Sequence, residues 1–203
     1  MLTLNKYEGK NLEILKNKIS DIYKIDFEDL YYSIKEEKVG LFKNKNYIIE
    51  VISKEEIKKY INEYINNIAK YMSISIKTDI NFNENSIIVN LYSNNNNIII
   101  GASGKNLEAL KNVISQSIRD LNKLNLRLEI DVNNYKERKL KIFKKEIEDI
   151  CNSVINTKVE VKLDPMNSYK RRIVHSIVSN YKSLTSFSVL DEPNRYTIIK
   201  FKD

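Results

Sequence analysis

The chain has 203 residues, 42% of them hydrophobic and 30% charged, an ordinary balance for a globular protein of one large domain or two to three small ones. Its single cysteine, Cys151, excludes an internal disulfide, and no apolar run approaches the roughly 20 residues that a membrane-spanning helix needs. With no apolar stretch of signal-peptide length in residues 1–10, the expectation is a soluble, cytoplasmic protein without membrane insertion. The net charge is +7; residues 1–54 are close to neutral, 55–133 balance, and 134–203 hold nearly all of the excess, which points to a polyanionic partner for the last third.

The first segment reads as strand, helix, strand, strand. Residues 2–6 form the first strand, Leu12, Leu15, Ile19 and Ile22 recur at helical spacing, and 30–34 and 47–52 are β-rich. Ser53, followed by Glu55 and Glu56, opens a helix whose apolar face is Ile57, Ile61, Tyr64, Ile68 and Tyr71. Strands over 73–80 and 87–92 follow, parted by the turn-forming residues 81–85. An asparagine run, 94–97, leads into Ile98, Ile99 and Ile100. Then come Gly101-Ala102-Ser103-Gly104, a helix carrying Leu107, Leu110, Ile114, Ile118 and Leu121, and an alternating strand over 126–132. The last segment opens with an amphipathic helix over 134–156 whose apolar face is Leu140, Phe143, Ile147, Ile150, Cys151 and Val154. A strand over 158–163, a helix over 167–181 and strands over 186–189 and 196–201 complete it, with Pro165 and Pro193 at the junctions.

Of the 4 glycines in the chain, two flank a two-residue gap between a short apolar turn and a long helix. Glycine is required where a backbone takes positive φ or approaches another chain closely, and the amides opening the next helix point at any anion placed there. Gly101, Ala102, Ser103 and Gly104 are therefore a candidate phosphate-backbone cradle, with Lys105 adding positive charge. A Gly-x-x-Gly is a weak signal alone; it gains weight from the order helix, strand, strand, short helix, glycine loop, helix, strand, which is that of KH modules. A P-loop is excluded because Ile99 stands where its first glycine belongs and Asn106 replaces its Ser or Thr.

Near the C-terminus, Asn167 or Ser168 caps a helix whose first turn holds Lys170, Arg171 and Arg172. Three cations there oppose the helix dipole by about 0.3–1 kcal/mol each, so an anion is expected to relieve them. Arg171 and His175 share a helix face. As the 1 histidine in the chain, His175 belongs to no multi-histidine metal site, and beside an arginine it suits phosphate binding and base stacking. Cys151 lies on an apolar helix face, where it packs. With no nucleophile elbow, metal-ligand cluster or second histidine, no catalytic residue, metal or cofactor is expected.

With these residues in view the chain resembles the bacterial Jag family, also called KhpB or EloR, over essentially its whole length. The resemblance rests on the 101–104 loop with Leu107-Glu108-Ala109-Leu110, on Asp131-Val132 with Tyr135-Lys136-Glu137-Arg138, and most specifically on the stretch from Pro165 to His175. That stretch contains Arg171-x-x-x-His175, the signature from which R-three-H domains take their name; Asp191-Glu192-Pro193-Asn194-Arg195 resembles the closing Glu-Pro-x-Arg element. The sequence departs from the family in the neutral Ala102 and Ser103 where a basic residue is usual, and in Leu190 where glycine is usual. It keeps Lys38-Val39-Gly40-Leu41-Phe42 without the denser glycine turn.

The resemblance implies an α+β fold in three small domains: a Jag N-terminal β-α-β-β domain over 1–52, a type II KH domain over 54–133 and an R-three-H domain over 134–203. It implies binding of single-stranded RNA, with single-stranded DNA as an alternative ligand, through Gly101, Ala102, Ser103, Gly104 and Lys105 and through Lys170, Arg171, Arg172, His175 and Arg195. Ile98, Ile99 and Ile100 are expected to form an apolar floor for bases. A small KH-only partner protein or self-association, cell-envelope protein partners, and a role in cell elongation, division or envelope assembly are also implied. The competing expectation is a protein-interaction scaffold whose KH surface serves dimerisation and whose N-terminal domain docks other proteins. Tyr31, Tyr32, Tyr60, Tyr64 and Tyr71 are candidate stacking platforms, but their spacing favours core packing.

Overall fold

Three sheets of three strands, each backed by helices, organise the chain in the computed structural model, which describes residues 1–39, 44–83 and 85–202. Gly40, Leu41 and Phe42 of the family-like turn, and Glu84 within the 81–85 turn, lie outside the described residues. The fold is α+β, with an N-terminal β-α-β-β region followed by the helix and strand orders of KH and R-three-H domains. It resolves into two compact units, Met1–Asn134 and Tyr135–Asp203.

In the N-terminal region β1 (Asn5–Gly9), α1 (Leu12–Tyr23), β2 (Tyr31–Val39) and β3 (Asn44–Ile52) give an antiparallel sheet in the order β1-β3-β2. Helix α1 starts where the Asn11 side-chain oxygen accepts the Ile14 amide at 3.1 Å, and stops at Lys24, which turns left-handed at φ 57. Leu15 and Ile19 pack against Phe27, Leu30, Ile49 and Val51. Ile22, expected on the buried face, is 51% exposed; the face of α1 that meets the core carries Leu15 and Ile19, with Leu12 and Tyr23 packed beside them. The first strand starts three residues later than expected, since the Leu2 amide bonds the Ser117 carbonyl at 3.0 Å instead.

Ser53 and Glu56 form a reciprocal capping box that opens α2 (Lys54–Tyr71): the Ser53 hydroxyl accepts the Glu56 amide, and the Glu56 carboxylate accepts the Ser53 amide. The other Glu56 oxygen accepts from Asn5 Nδ2 at 3.1 Å, so the same residue ties β1 to the start of α2. The buried row is Ile57, Ile61, Ile65 and Ala69. Steps of four advance about 40° around a helix, so by the last turn the covered stripe has drifted away from Tyr71. Tyr71, expected on that face, is 91% exposed.

Strands β4 (Lys77–Asn83), β5 (Ser86–Tyr92) and β6 (Arg127–Val132) form the second sheet, with β4 antiparallel and β6 parallel to the central β5. A parallel pair needs a crossover, supplied by α3 (Asn96–Ile100), the glycine loop and α4 (Lys105–Ser117). Ile87, Val89 and Leu91 alternate into the core beside Leu128, Ile130 and Val132. Residues 73–76, expected to be strand, instead close the end of α2, with Ser73 at φ 54 and the Ile74 amide on the Ala69 carbonyl at 3.0 Å. The expected long helix ends at Ser117, and a 3₁₀ turn over Arg119–Leu124 still buries Leu121.

The second unit contains α5 (Tyr135–Thr157), β7 (Val161–Lys162), α6 (Ser168–Val178), β8 (Leu184–Val189) and β9 (Tyr196–Phe201), with sheet order β7-β9-β8, all antiparallel. Ile147, Cys151 and Val154 of α5 meet Val174, Ile177 and Val178 of α6 over Leu184 and Ile199 of the sheet. Burial pushes the Cys151 thiol pKa up. The strand expected over 158–163 shortens to two residues after Lys158 turns left-handed at φ 56. Among the described residues no helix is long and apolar enough to cross a membrane.

Candidate nucleic-acid interface

The glycine loop owes its shape to what precedes it. The Ser93 hydroxyl donates to the Ser75 carbonyl and accepts the Asn95 amide, and Asn96 Oδ1 accepts the Ser93 amide at 3.1 Å, so the asparagine run folds into the start of α3. This short helix ends at Gly101, whose amide bonds the Asn97 carbonyl at 2.9 Å. Gly101 sits at φ 68, ψ −178, a region essentially restricted to glycine. Ser103 (φ 56) and Gly104 (φ 92) follow in left-handed conformation, and Gly104 is the N-cap of α4 without any side-chain cap. Asn106 reaches back from α4 to donate to the Ile98 carbonyl at 2.9 Å, locking the loop. Ala102, Ser103 and Lys105 are exposed. The result is an uncapped helix end, carrying the positive end of its dipole, behind a loop whose backbone a ligand can approach closely.

Ile98 is 46% exposed beside this loop, but Ile99 and Ile100 are buried at 3% and 8%. Successive side chains on a helix point about 100° apart, so the apolar floor expected of all three is reduced to Ile98. Of the candidate tyrosines, Tyr31 faces Phe82 at 6.0 Å between ring centres, Tyr32 packs on Phe27 at 4.4 Å and Tyr60 on Tyr64 at 6.0 Å.

In the second unit Asn167 caps α6, accepting the Lys170 amide at 3.0 Å, and the first turn presents Lys170, Arg171 and Arg172. Arg172 is exposed, while Lys170 lies over the Phe143 ring at 5.2 Å. Arg171 turns inward and is 8% exposed. Its Nη1 donates to the Met166 carbonyl at 2.6 Å and to Glu192 Oε1 at 2.7 Å. The anion that the cation-rich turn calls for is thus, for Arg171, a carboxylate of the same chain. Arg195 joins the cluster through its backbone, its carbonyl accepting the Met166 amide at 3.1 Å, and its Nε is buried without a hydrogen-bond partner.

His175 lies one turn further along α6, with Nδ1 2.8 Å from Ser186 Oγ and Nε2 3.0 Å from Ser188 Oγ. Ser188 continues to the buried Thr197 at 3.3 Å. Burial, and then the nearby Arg171 charge, hold the imidazole pKa below its ordinary 6.5, so the ring is neutral at pH 7, one nitrogen donating and the other accepting. Among the described residues no group of three His, Cys, Asp or Glu is placed to hold a metal ion.

Two family models match the stretches of the chain that carry these residues. A family model for the KhpA/KhpB KH domain matches residues 58–130, and one for the R-three-H domain matches residues 142–201. The chain is 31% identical over 161 residues to the RNA-binding protein KhpB of Clostridium symbiosum, an alignment covering 78% of this chain and 72% of that one. The chain belongs to the KhpB family. It is 28% identical to KhpB of Streptococcus pneumoniae over 80% of this chain but 48% of the relative, and 23% identical to KhpB of Bacillus subtilis over 80% of the relative.

Leu190 sits at φ 67, so a left-handed turn is held by a leucine, 58% exposed, where glycine would adopt the conformation without cost. Residue spacing alone assigns no role to Asn106, Ser186 or Ser188. Period-two spacing on β8 is the signal that could find the two serines, whereas Asn106 stands out in the sequence only as a mismatch to a P-loop. Glu192 belongs to the closing element by its motif, but nothing in the motif pairs it with Arg171.

Proposed function

We propose that the chain is a single-stranded RNA-binding regulatory protein that acts in the cytoplasm, in the control of cell elongation, division or envelope assembly. The reading divides it into a Jag N-terminal domain over 1–52, a type II KH domain over 54–133 and an R-three-H domain over 134–203. Gly101, Ala102, Ser103, Gly104 and Lys105 form the first site, where loop backbone and the α4 dipole hold phosphates while Ile98 meets a base. Lys170, Arg171, Arg172, His175 and Arg195 form the second. Two weak sites on one chain reinforce each other through effective concentration. A small KH-only protein, or a second copy of this chain, is the partner proposed for the KH domain, with cell-envelope proteins as further partners.

The observation that carries this reading is the loop itself: left-handed backbone at Gly101, Ser103 and Gly104 directly before a helix with no side-chain cap. The test is a fluorescence-anisotropy titration of the full chain with a mixed-sequence single-stranded RNA of about 15 nucleotides at two salt concentrations, with duplex RNA and single-stranded DNA as competitors. The expected result is binding that weakens steeply with salt and resists duplex competition. No binding at either salt overturns the RNA reading in favour of a protein-interaction scaffold.

A further inference from the structure

Both protons of Arg171 Nη1 are committed, one to the Met166 carbonyl at 2.6 Å and one to Glu192 at 2.7 Å. Arg171 is nearly buried, and its charge is balanced by a carboxylate whose side chain is 57% exposed. Met166 is held from the other side as well, its amide donating to the Arg195 carbonyl at 3.1 Å. The segment entering α6 and the turn over 191–195, closed by the Asn194 amide on the Asp191 carbonyl at 3.0 Å, are therefore fastened at two points that flank one residue. Among the described hydrogen bonds, Arg171 is the side chain that joins the Met166 carbonyl to the 191–195 turn, beside the backbone bond from Met166 to Arg195.

We propose that Arg171 and Glu192 form a latch that docks the 191–195 turn onto the start of α6. Arg171 then serves ligand binding as a positioning residue, while Arg172 and Arg195 meet the anion. For Arg171 to touch a phosphate through Nη1 it would have to release a charge-assisted bond and a short carbonyl bond, unlatching the turn that carries Arg195. The inference about binding rests on the RNA reading above; the latch itself does not.

The test uses the full chain with Glu192→Ala, a change at an exposed side chain, and Arg171→Lys as a second variant that keeps the charge but loses the planar fork. The first readout needs no RNA: amide hydrogen exchange by NMR. The latch predicts faster exchange at the Met166 amide in both variants, with the Arg171 amide, bonded to the Asn167 carbonyl, unchanged. Unchanged exchange at Met166 overturns the latch. The second readout is affinity for the 15-nucleotide RNA. Removing an acid beside a polyanion site ordinarily tightens binding, and freeing a contact arginine would do the same. The latch predicts the opposite sign, a loss of about three- to tenfold, with Arg195→Ala costing little more in the Glu192→Ala background. Tighter or unchanged binding by Glu192→Ala overturns the positioning role. If the unaltered chain binds no RNA, the RNA reading and the positioning role fall together, and the exchange result alone decides the latch.

Discussion

Replacing Gly101 by alanine should damage the loop in two separable ways. The backbone at φ 68, ψ −178 is strained for any residue with a Cβ, at a cost of about 1–3 kcal/mol. The new Cβ would also lie 2.5, 2.7 and 2.8 Å from Cγ, Nδ2 and Oδ1 of Asn106, closer than heavy atoms tolerate, so Asn106 must swing away and lose its bond to the Ile98 carbonyl. That bond adds about 1 kcal/mol, giving a total of roughly 2–4 kcal/mol. For a unit of this size about 3 °C accompanies each kcal/mol, so scanning calorimetry should show the first unit melting about 6–12 °C earlier. RNA affinity should fall with it. Repeating the substitution in an Asn106→Ala background should recover the steric part while the backbone part remains. A melting point within about 1 °C of the unaltered protein would refute both the strained geometry and the role of Asn106 as its lock.

Three further outcomes follow from other positions. Leu190→Gly should raise stability by about 0.5–1 kcal/mol, read as a higher urea midpoint, because glycine adopts φ 67 without a Cβ penalty. Ala102→Lys should tighten RNA binding and steepen the logarithmic salt slope by about 0.7, the increment of one added phosphate contact to a single strand. His175 has a folded pKa below its ordinary 6.5, so the folded protein binds fewer protons than the unfolded one between those two values. Its contribution to stability is therefore complete above about pH 6.5 and is lost as the pH falls through that window. Melting temperatures at pH 7.5 and 5.5, chosen as about one unit either side of that value, should differ more in the unaltered protein than in His175→Gln.

Much of the fold is legible in the sequence because apolar periodicity is a local signal. The alternation in β5 and β6, the capping box at Ser53 and Glu56, and the Asn167 cap all sit where the residues indicate. Boundaries are set by interactions that sequence spacing does not report. Residues 73–76 become a helix end through a left-handed Ser73, and Tyr71 is left exposed by the drift of the i, i+4 row. In the binding region, the residue types are visible and their division of labour is not. Arg171 reads as a free cation until Glu192, far along the chain, is brought to 2.7 Å, and Ile99 and Ile100 read like Ile98 until the helix turns their side chains inward and leaves Ile98 outside. Long-range pairing and side-chain direction are properties of the packed chain.

The most direct test of the two-site RNA account is NMR chemical-shift mapping of the isotope-labelled full chain during titration with the single-stranded 15-nucleotide RNA. The account predicts perturbed amides at Gly101, Ala102, Ser103, Gly104 and Lys105 and, together with them, in the first turn of α6 and at Arg195. Perturbations that avoid both sets, or that gather on the N-terminal sheet alone, would contradict it.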